Sequence, residues 1–117
     1  MSIDVSLIVV SFGDPEVLFN SLGRSNEHLK RADSLGYEII IIDNFSSEEY
    51  RTAIVDRLKN YRDESTRFIL NTKNLGFGAS CNIGAREAKG KFLWFINPDA
   101  WIEDLSGIKS LLAFAEQ

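Results

Sequence analysis

Residues 38–44 read Glu38-Ile39-Ile40-Ile41-Ile42-Asp43-Asn44, and this stretch decides the fold class. Four β-branched residues in succession, with no polar alternation, describe a strand buried on both faces, as in a parallel sheet. Three comparable runs lie around it: Ile3 to Val10, Arg67 to Leu70, and Phe92-Leu93-Trp94-Phe95-Ile96. The first is less pure, because Asp4 and Ser6 alternate with Val5 and Leu7 before Ile8-Val9-Val10.

Helical patterns separate the runs. Asp14-Pro15 offers an N-cap followed by proline at the first helical position. Val17, Leu18 and Leu22 then make a short apolar face. Gly23 is expected to interrupt it, with Leu29, Ala32 and Leu35 resuming a face that Gly36 closes. Ser46 and Glu49 have capping-box spacing ahead of the stripe Tyr50, Ala53, Ile54, Leu58 and Tyr61. A third helix is expected from about Ala79 to Lys89, stopped by Gly90. A fourth begins near Asp104 and carries Leu105, Ile108, Leu111, Leu112 and Ala115. The order is β-α-β-α-β-α-β-α. It predicts an α/β, three-layer sandwich with a mainly parallel sheet of about four strands and right-handed crossovers.

Composition narrows the function. At 117 residues, the chain is read as a single domain over 1–117. With 44% apolar and 26% charged residues it is an ordinary globular mixture, which excludes disordered and low-complexity classes. The formal charge is −4 and no basic block occurs, which argues against nucleic acid as a partner. A lone cysteine, Cys81, excludes an internal disulfide, and with one histidine, His28, a zinc site is not expected. Met1-Ser2-Ile3-Asp4 has no basic region of a signal peptide, and the apolar runs are too short to span a bilayer. The expectation is a cytoplasmic domain with no transmembrane segment.

The polar residues follow the strands. Ser11-Phe12-Gly13-Asp14 follows the first, Asp43-Asn44 the second, Asn71-Thr72-Lys73-Asn74 the third, and Asn97-Pro98-Asp99 the fourth. In an open parallel sheet these exits share one edge, where such sheets bind ligands. Each residue alone is better explained as a turn or cap residue; the four together favour a polar crevice. Asp99, on a turn with Pro98, is a candidate ligand for Mg²⁺ or Mn²⁺, with Asn97 in support; its alternative is an N-cap or Asx-turn for the segment that follows. Asp43 emerges beyond the isoleucines as an acceptor suited to a base N–H or ribose hydroxyls, and Asn44 can both donate and accept; their alternative is capping of the next helix. Asn74-Leu75-Gly76-Phe77-Gly78-Ala79-Ser80-Cys81-Asn82-Ile83-Gly84 places two glycines before a helix rich in small residues, but Cys81 breaks a dinucleotide fingerprint and no P-loop is present. Cys81 itself reads as a small buried hydrophobe. Trp94 reads as core, and Trp101 suits either core or a crevice wall.

Taken in order, Val5-Ser6-Leu7-Ile8-Val9-Val10-Ser11-Phe12, Ile41-Ile42-Asp43-Asn44-Phe45-Ser46-Ser47, Asn74-Leu75-Gly76-Phe77-Gly78 with Asn82-Ile83-Gly84, and Gly90 to Asp99 resemble the nucleotide-binding half of family-2 glycosyltransferases. The resemblance spans about residues 3–112 and is strongest to the rhamnosyltransferase-like branch, which carries Asn-Pro-Asp in place of Asp-x-Asp. It implies the Rossmann-like GT-A fold and a nucleotide-diphospho-sugar donor. It implies that Ser11 and Phe12 line the nucleoside pocket and that Asp43 and Asn44 contact base and ribose. Asn74, Gly76 and Asn82 would shape the wall near diphosphate and sugar, and Asp99, beside Asn97, would hold a divalent metal, Mg or Mn. Two departures stand out: Phe45 occupies a position that is often glycine, and Asn97 replaces the first acid of the metal motif.

The implied reaction is metal-assisted, inverting displacement at the anomeric carbon, with a saccharide or lipid-linked acceptor, as in polysaccharide biosynthesis. It needs a general base. Eighteen residues follow Asp99, and their acids, Glu103, Asp104 and Glu116, belong to a helix start and the chain end. The expectation is therefore a truncated chain or an orphan half that binds donor but is inactive alone for want of a general base and acceptor site, peripheral to a membrane only through its acceptor or further segments. The alternative is a non-catalytic nucleotide-binding or assembly module that pairs with another chain, including a homo-oligomer. A receiver-type signalling domain fits less well, since Ser11-Phe12 and Asn71 stand where it needs acids.

Overall fold

The computed structural model describes residues 2–11, 13–31 and 35–99. Its strands are β1 (Val5–Ser11), β2 (Tyr37–Asp43), β3 (Thr66–Leu70) and β4 (Phe92–Ile96). They form one sheet in the order β3-β2-β1-β4, and every pairing is parallel. The expected α/β architecture is therefore present. The fourth helix, Ala32, Phe12 and Trp101 lie outside the described residues.

The isoleucine run is central for the reason its composition suggested. Ile40, Ile41 and Ile42 have no solvent exposure, because both faces of β2 are covered. On one face α1 (Pro15–Lys30) and α2 (Glu48–Leu58) set Leu18, Phe19, Leu22, Leu29, Tyr50 and Ile54 against Leu7, Val9, Ile39 and Ile41. On the other, α3 (Phe77–Glu87) packs Ile83 and Ala85 against Ile8, Ile40 and Ile42. Alternation along a strand gives odd-numbered residues of β1 and β2 to the α1/α2 layer and even-numbered ones to the α3 layer. α3 lies close because Gly84 has no side chain: a Cβ there would stand 2.6 Å from Ile8 Cγ2 and 2.8 Å from Ile42 Cδ1. No helix among the described residues is long and apolar enough to cross a membrane.

Several local expectations are corrected. Gly23 does not interrupt α1, which runs unbroken for 16 residues. Glycine on this exposed face costs about 1 kcal/mol, less than the packing of Leu22 and Leu29 on either side supplies. Gly36 is not the helix stop, since α1 ends at Lys30. It permits close approach instead: a Cβ would lie 2.5 Å from the Ser2 carbonyl oxygen, and the Gly36 N–H donates to Asp4 Oδ2 at 2.8 Å. Gly90 is likewise a contact glycine rather than the stop of α3, which ends at Glu87. A Cβ there would meet the Ser6 nitrogen at 2.6 Å. α3 also begins earlier than expected, at Phe77, because Gly76 takes φ +87° as its N-cap.

The second helix is capped by Ser47, not Ser46. Ser47 Oγ accepts from the Tyr50 N–H at 3.0 Å, whereas Ser46 Oγ accepts from Gly13 N–H at a long 3.4 Å. Ser47→Ala should therefore cost about 1 kcal/mol of stability in urea unfolding, and Ser46→Ala much less. The reverse order would return the cap to Ser46.

Candidate functional site

The strand order puts a topological switch at β1. The chain moves from β1 out to β3 and then returns across the sheet to β4, on the other side of β1. Crevices form at the carboxyl ends of strands flanking such a point. Ser11, Asp43 and Leu70 are level in the register. β4 ends at Ile96, opposite Val9, so Asn97-Pro98-Asp99 leaves the sheet beside the last two residues of β1. At about 4.8 Å per strand step, the β3 and β4 exits are about 14 Å apart. A ligand touching both must lie across β1 and β2.

The exits separate into a buried layer and an exposed one. Ser11, Asp43, Asn44, Asn71 and Ser80 are buried. Ser11 Oγ is hydrogen-bonded to the Tyr50 hydroxyl, and its carbonyl accepts from the Asn44 N–H at 3.0 Å. Burial pushes the Tyr50 phenol up, the Ser11 hydrogen bond works against this, and the Asp43 charge adds to it, so the phenol keeps its proton at neutral pH. Asp43 Oδ1 accepts from the Phe45 N–H at 3.2 Å, and Oδ2 accepts from Arg51 Nε at 2.5 Å. Arg51 Nη2 also donates to the Asn71 carbonyl. Even-numbered Asn44 turns to the other layer. Its Oδ1 accepts from the Leu75 N–H at 3.1 Å and from Ser80 Oγ at 3.0 Å, while Asn71 Nδ2 donates to Ser80 Oγ at 3.1 Å. Direct contact of a ligand with the side chains of Ser11, Asp43 or Asn44 would have to exchange these bonds.

Asn74, Gly76, Asn82, Asn97 and Asp99 form the exposed layer. Asn74 Oδ1 accepts from the Gly76 N–H at 2.9 Å, an Asx-turn that aims the chain into α3. Asn82 stands on the exposed side of α3, and Asn97 and Asp99 flank β1 on the opposite side from the β3 loop. Cys81 is half-buried, and burial pushes its thiol above the ordinary value. Trp94 packs against the core, as expected. A cavity of about 20 Å³ between sheet and α1, lined by Leu7, Val9, Leu18, Ile96 and Pro98, has room for a single water molecule.

No group of three or more His, Cys, Asp or Glu side chains that could hold a metal occurs among the described residues. One exposed carboxylate, Asp99, fits an ion such as Mg²⁺ or Mn²⁺ that takes one or two protein ligands and completes its shell with water and phosphate oxygens. It does not fit a metal caged by protein alone.

Arg51 carried no expectation from the sequence, while Asn71 entered only as the first residue of the β3 exit and Ser80 only as a small residue of α3. A signal for Arg51 was present: a cation just behind Glu48 and Glu49, near the positive end of α2, opposes the helix dipole and calls for a partner elsewhere.

Comparison with known proteins agrees with this architecture. The family model "Glycosyl transferase family 2" matches residues 6–117. The chain is 32% identical over 100 residues to the putative glycosyltransferase EpsH of Bacillus subtilis strain 168, covering 85% of this chain and 27% of that protein. The crystal structure of S. aureus TarS 1–349 superposes with a TM-score of 0.66 at 20% identity, over 97% of this chain and 32% of that one. A second structure of S. aureus TarS gives a TM-score of 0.65 at the same identity, over 97% of this chain and 20% of that one. At that identity the likeness is one of fold. The chain spans about a quarter of the length of its curated relative.

Proposed function

The chain belongs to glycosyl transferase family 2, and from that premise we propose that it forms the donor-binding half of an inverting, metal-assisted sugar transferase. The observation that carries this reading is the convergence of four polar strand exits on one edge, with exposed Asp99 on the β4 side of the switch and exposed Asn74 and Gly76 on the β3 side. A nucleotide-diphospho-sugar lies across that edge, its base toward the β2 and β3 exits and its diphosphate toward β4.

The described residues then divide the work. Ser11, Asp43 and Asn44 hold the floor of the base side through the bonds to Tyr50, Arg51 and Ser80. Asn74 and Gly76 shape the wall from their turn, with Asn82 following on α3. Asp99, with Asn97 two residues before it, would hold Mg²⁺ or Mn²⁺ at the diphosphate. That ion would supply stabilisation of the negative charge that grows on the leaving nucleoside diphosphate. An acceptor hydroxyl of a saccharide or lipid-linked sugar attacks the anomeric carbon from the opposite face. The bond to the diphosphate breaks, and the hydroxyl proton passes to a general base.

The test is titration calorimetry with UDP-, dTDP- and GDP-sugars, with and without MnCl₂. Saturable, manganese-enhanced binding of one of them is the expected result; binding of none overturns the reading. One observation favours a second function, an assembly module that pairs with another chain. Leu93 and Phe95 on β4 are 44% and 47% exposed, and β4 pairs only with β1 among the described strands. Light scattering distinguishes the two: a monomer that binds nucleotide-sugar speaks for the transferase half.

A further inference from the structure

Arg51 makes three contacts with three different parts of the base-side edge. Its Nε meets Asp43 Oδ2 at 2.5 Å, its Nη2 meets the Asn71 carbonyl, and its guanidinium carbon stands 4.8 Å from the centre of the Phe45 ring. These partners end β2, begin the β3 loop and form the turn between β2 and α2. The Asp43 side chain is 1% exposed and that of Arg51 is 19% exposed, so the pair is largely withdrawn from water. In that setting a charge-assisted bond is strong, and an unpaired carboxylate is costly.

Phe45 adds a second, independent feature. It has φ +49°, the left-handed region that bulky side chains avoid, in a position where glycine would be relaxed. The Asp43 carboxylate holds its N–H, and Arg51 lies over its ring. Strained backbone persists where surrounding contacts over-determine it, commonly at ligand sites. Beyond Asn71 the influence continues. Its backbone carbonyl receives Arg51, while its side chain donates to Ser80, which donates to Asn44, whose oxygen also holds the Leu75 N–H. The loop carrying Asn74 and Gly76 is thus set by a chain of bonds that starts at Arg51.

We propose that Arg51 is a specificity-determining positioning residue of the donor site, fixing Asp43, Phe45 and the Asn71 loop as one base-side wall. The inference rests on the donor-binding reading above. It requires arginine: a planar fork can serve a carboxylate, a carbonyl and an aromatic face at once, and an ammonium group cannot.

The experiment titrates UDP, dTDP and GDP, each with MnCl₂, into the wild-type chain, Arg51→Lys and Arg51→Met, well below each protein's thermal midpoint. The wild type is expected to prefer one nucleotide. In both variants its affinity should fall about tenfold or more, and the preference over the other two should shrink with it. Lysine keeps the charge, so equal losses in Lys and Met assign the effect to the fork. A role confined to holding the fold lowers the midpoint of the variants but leaves affinity and preference intact, and that result overturns the proposal. If Arg51→Met does not fold, Arg51→Lys decides on the same two readouts. Binding of no nucleotide by the wild type removes the donor-binding reading and this inference together. Wild-type binding matched by the variants removes the inference alone.

Discussion

Asp99→Ala should remove the manganese-dependent part of nucleotide-sugar affinity, a loss of about 100-fold, or roughly 3 kcal/mol. The size follows from how little else the described chain offers an ion. Among the described residues no group of three or more acidic, histidine or cysteine side chains could hold a metal, and Asp99 is an exposed carboxylate immediately beyond β4. Asn97 is neutral and leaves the charge of the ion uncompensated. Because Asp99 is exposed, its loss should change stability by less than about 0.5 kcal/mol. Calorimetry with manganese and then with chelator reads the effect directly. Affinity that still rises with manganese in the variant would move the metal to other residues.

Glu38→Ala should lower unfolding stability by about 3 kcal/mol, enough to displace the thermal midpoint by about 10 °C. Glu38 lies at the opposite end of the sheet from the candidate site and is 6% exposed. Its Oε2 accepts from Ser6 Oγ and from the Lys89 N–H, each at 2.6 Å. Ser6 Oγ in turn accepts from the Gly90 N–H at 2.8 Å. One carboxylate therefore joins β1, β2 and the turn that feeds β4, and alanine leaves buried donors unsatisfied. Arg67 pairs with Glu38 at 3.6 Å but is 42% exposed, so Arg67→Met should cost under about 1 kcal/mol. Urea unfolding of the two variants, read at constant m, checks the contrast; equal losses would mean that the ion pair, not the buried hydrogen bonds, carries the stability.

The buried latch shows where sequence reasoning stops. Glu38 was legible only as the polar start of an isoleucine strand, and Ser6 only as an impurity in β1. Their opposition in the register, Ser6 beside Glu38, depends on which strands neighbour each other. Gly84 and Gly90 read as helix content and helix stop, yet each is required by a contact with β1, more than seventy residues away in sequence. Capping was misplaced by one residue at Ser47 because Ser46 and Ser47 offer the same hydroxyl, and only the entry angle of the chain selects between them.

By itself the sequence determined the alternation of strands and helices, the parallel class of the sheet and the four polar exits. These follow from residue type and short-range period: β-branched runs bury both faces, and Asp, Asn and Gly favour the turns that follow strands. Tertiary structure decided what the exits do. The two-residue period sends Ser11 and Asp43 toward one helical layer, but only the packed fold places Tyr50 and Arg51 of α2 there to meet them. It sends Asn44 to the other layer, where Ser80 of α3 waits. Whether a polar residue faces a ligand or a partner is set by long-range neighbours, and these exist only once the layers have closed on the sheet.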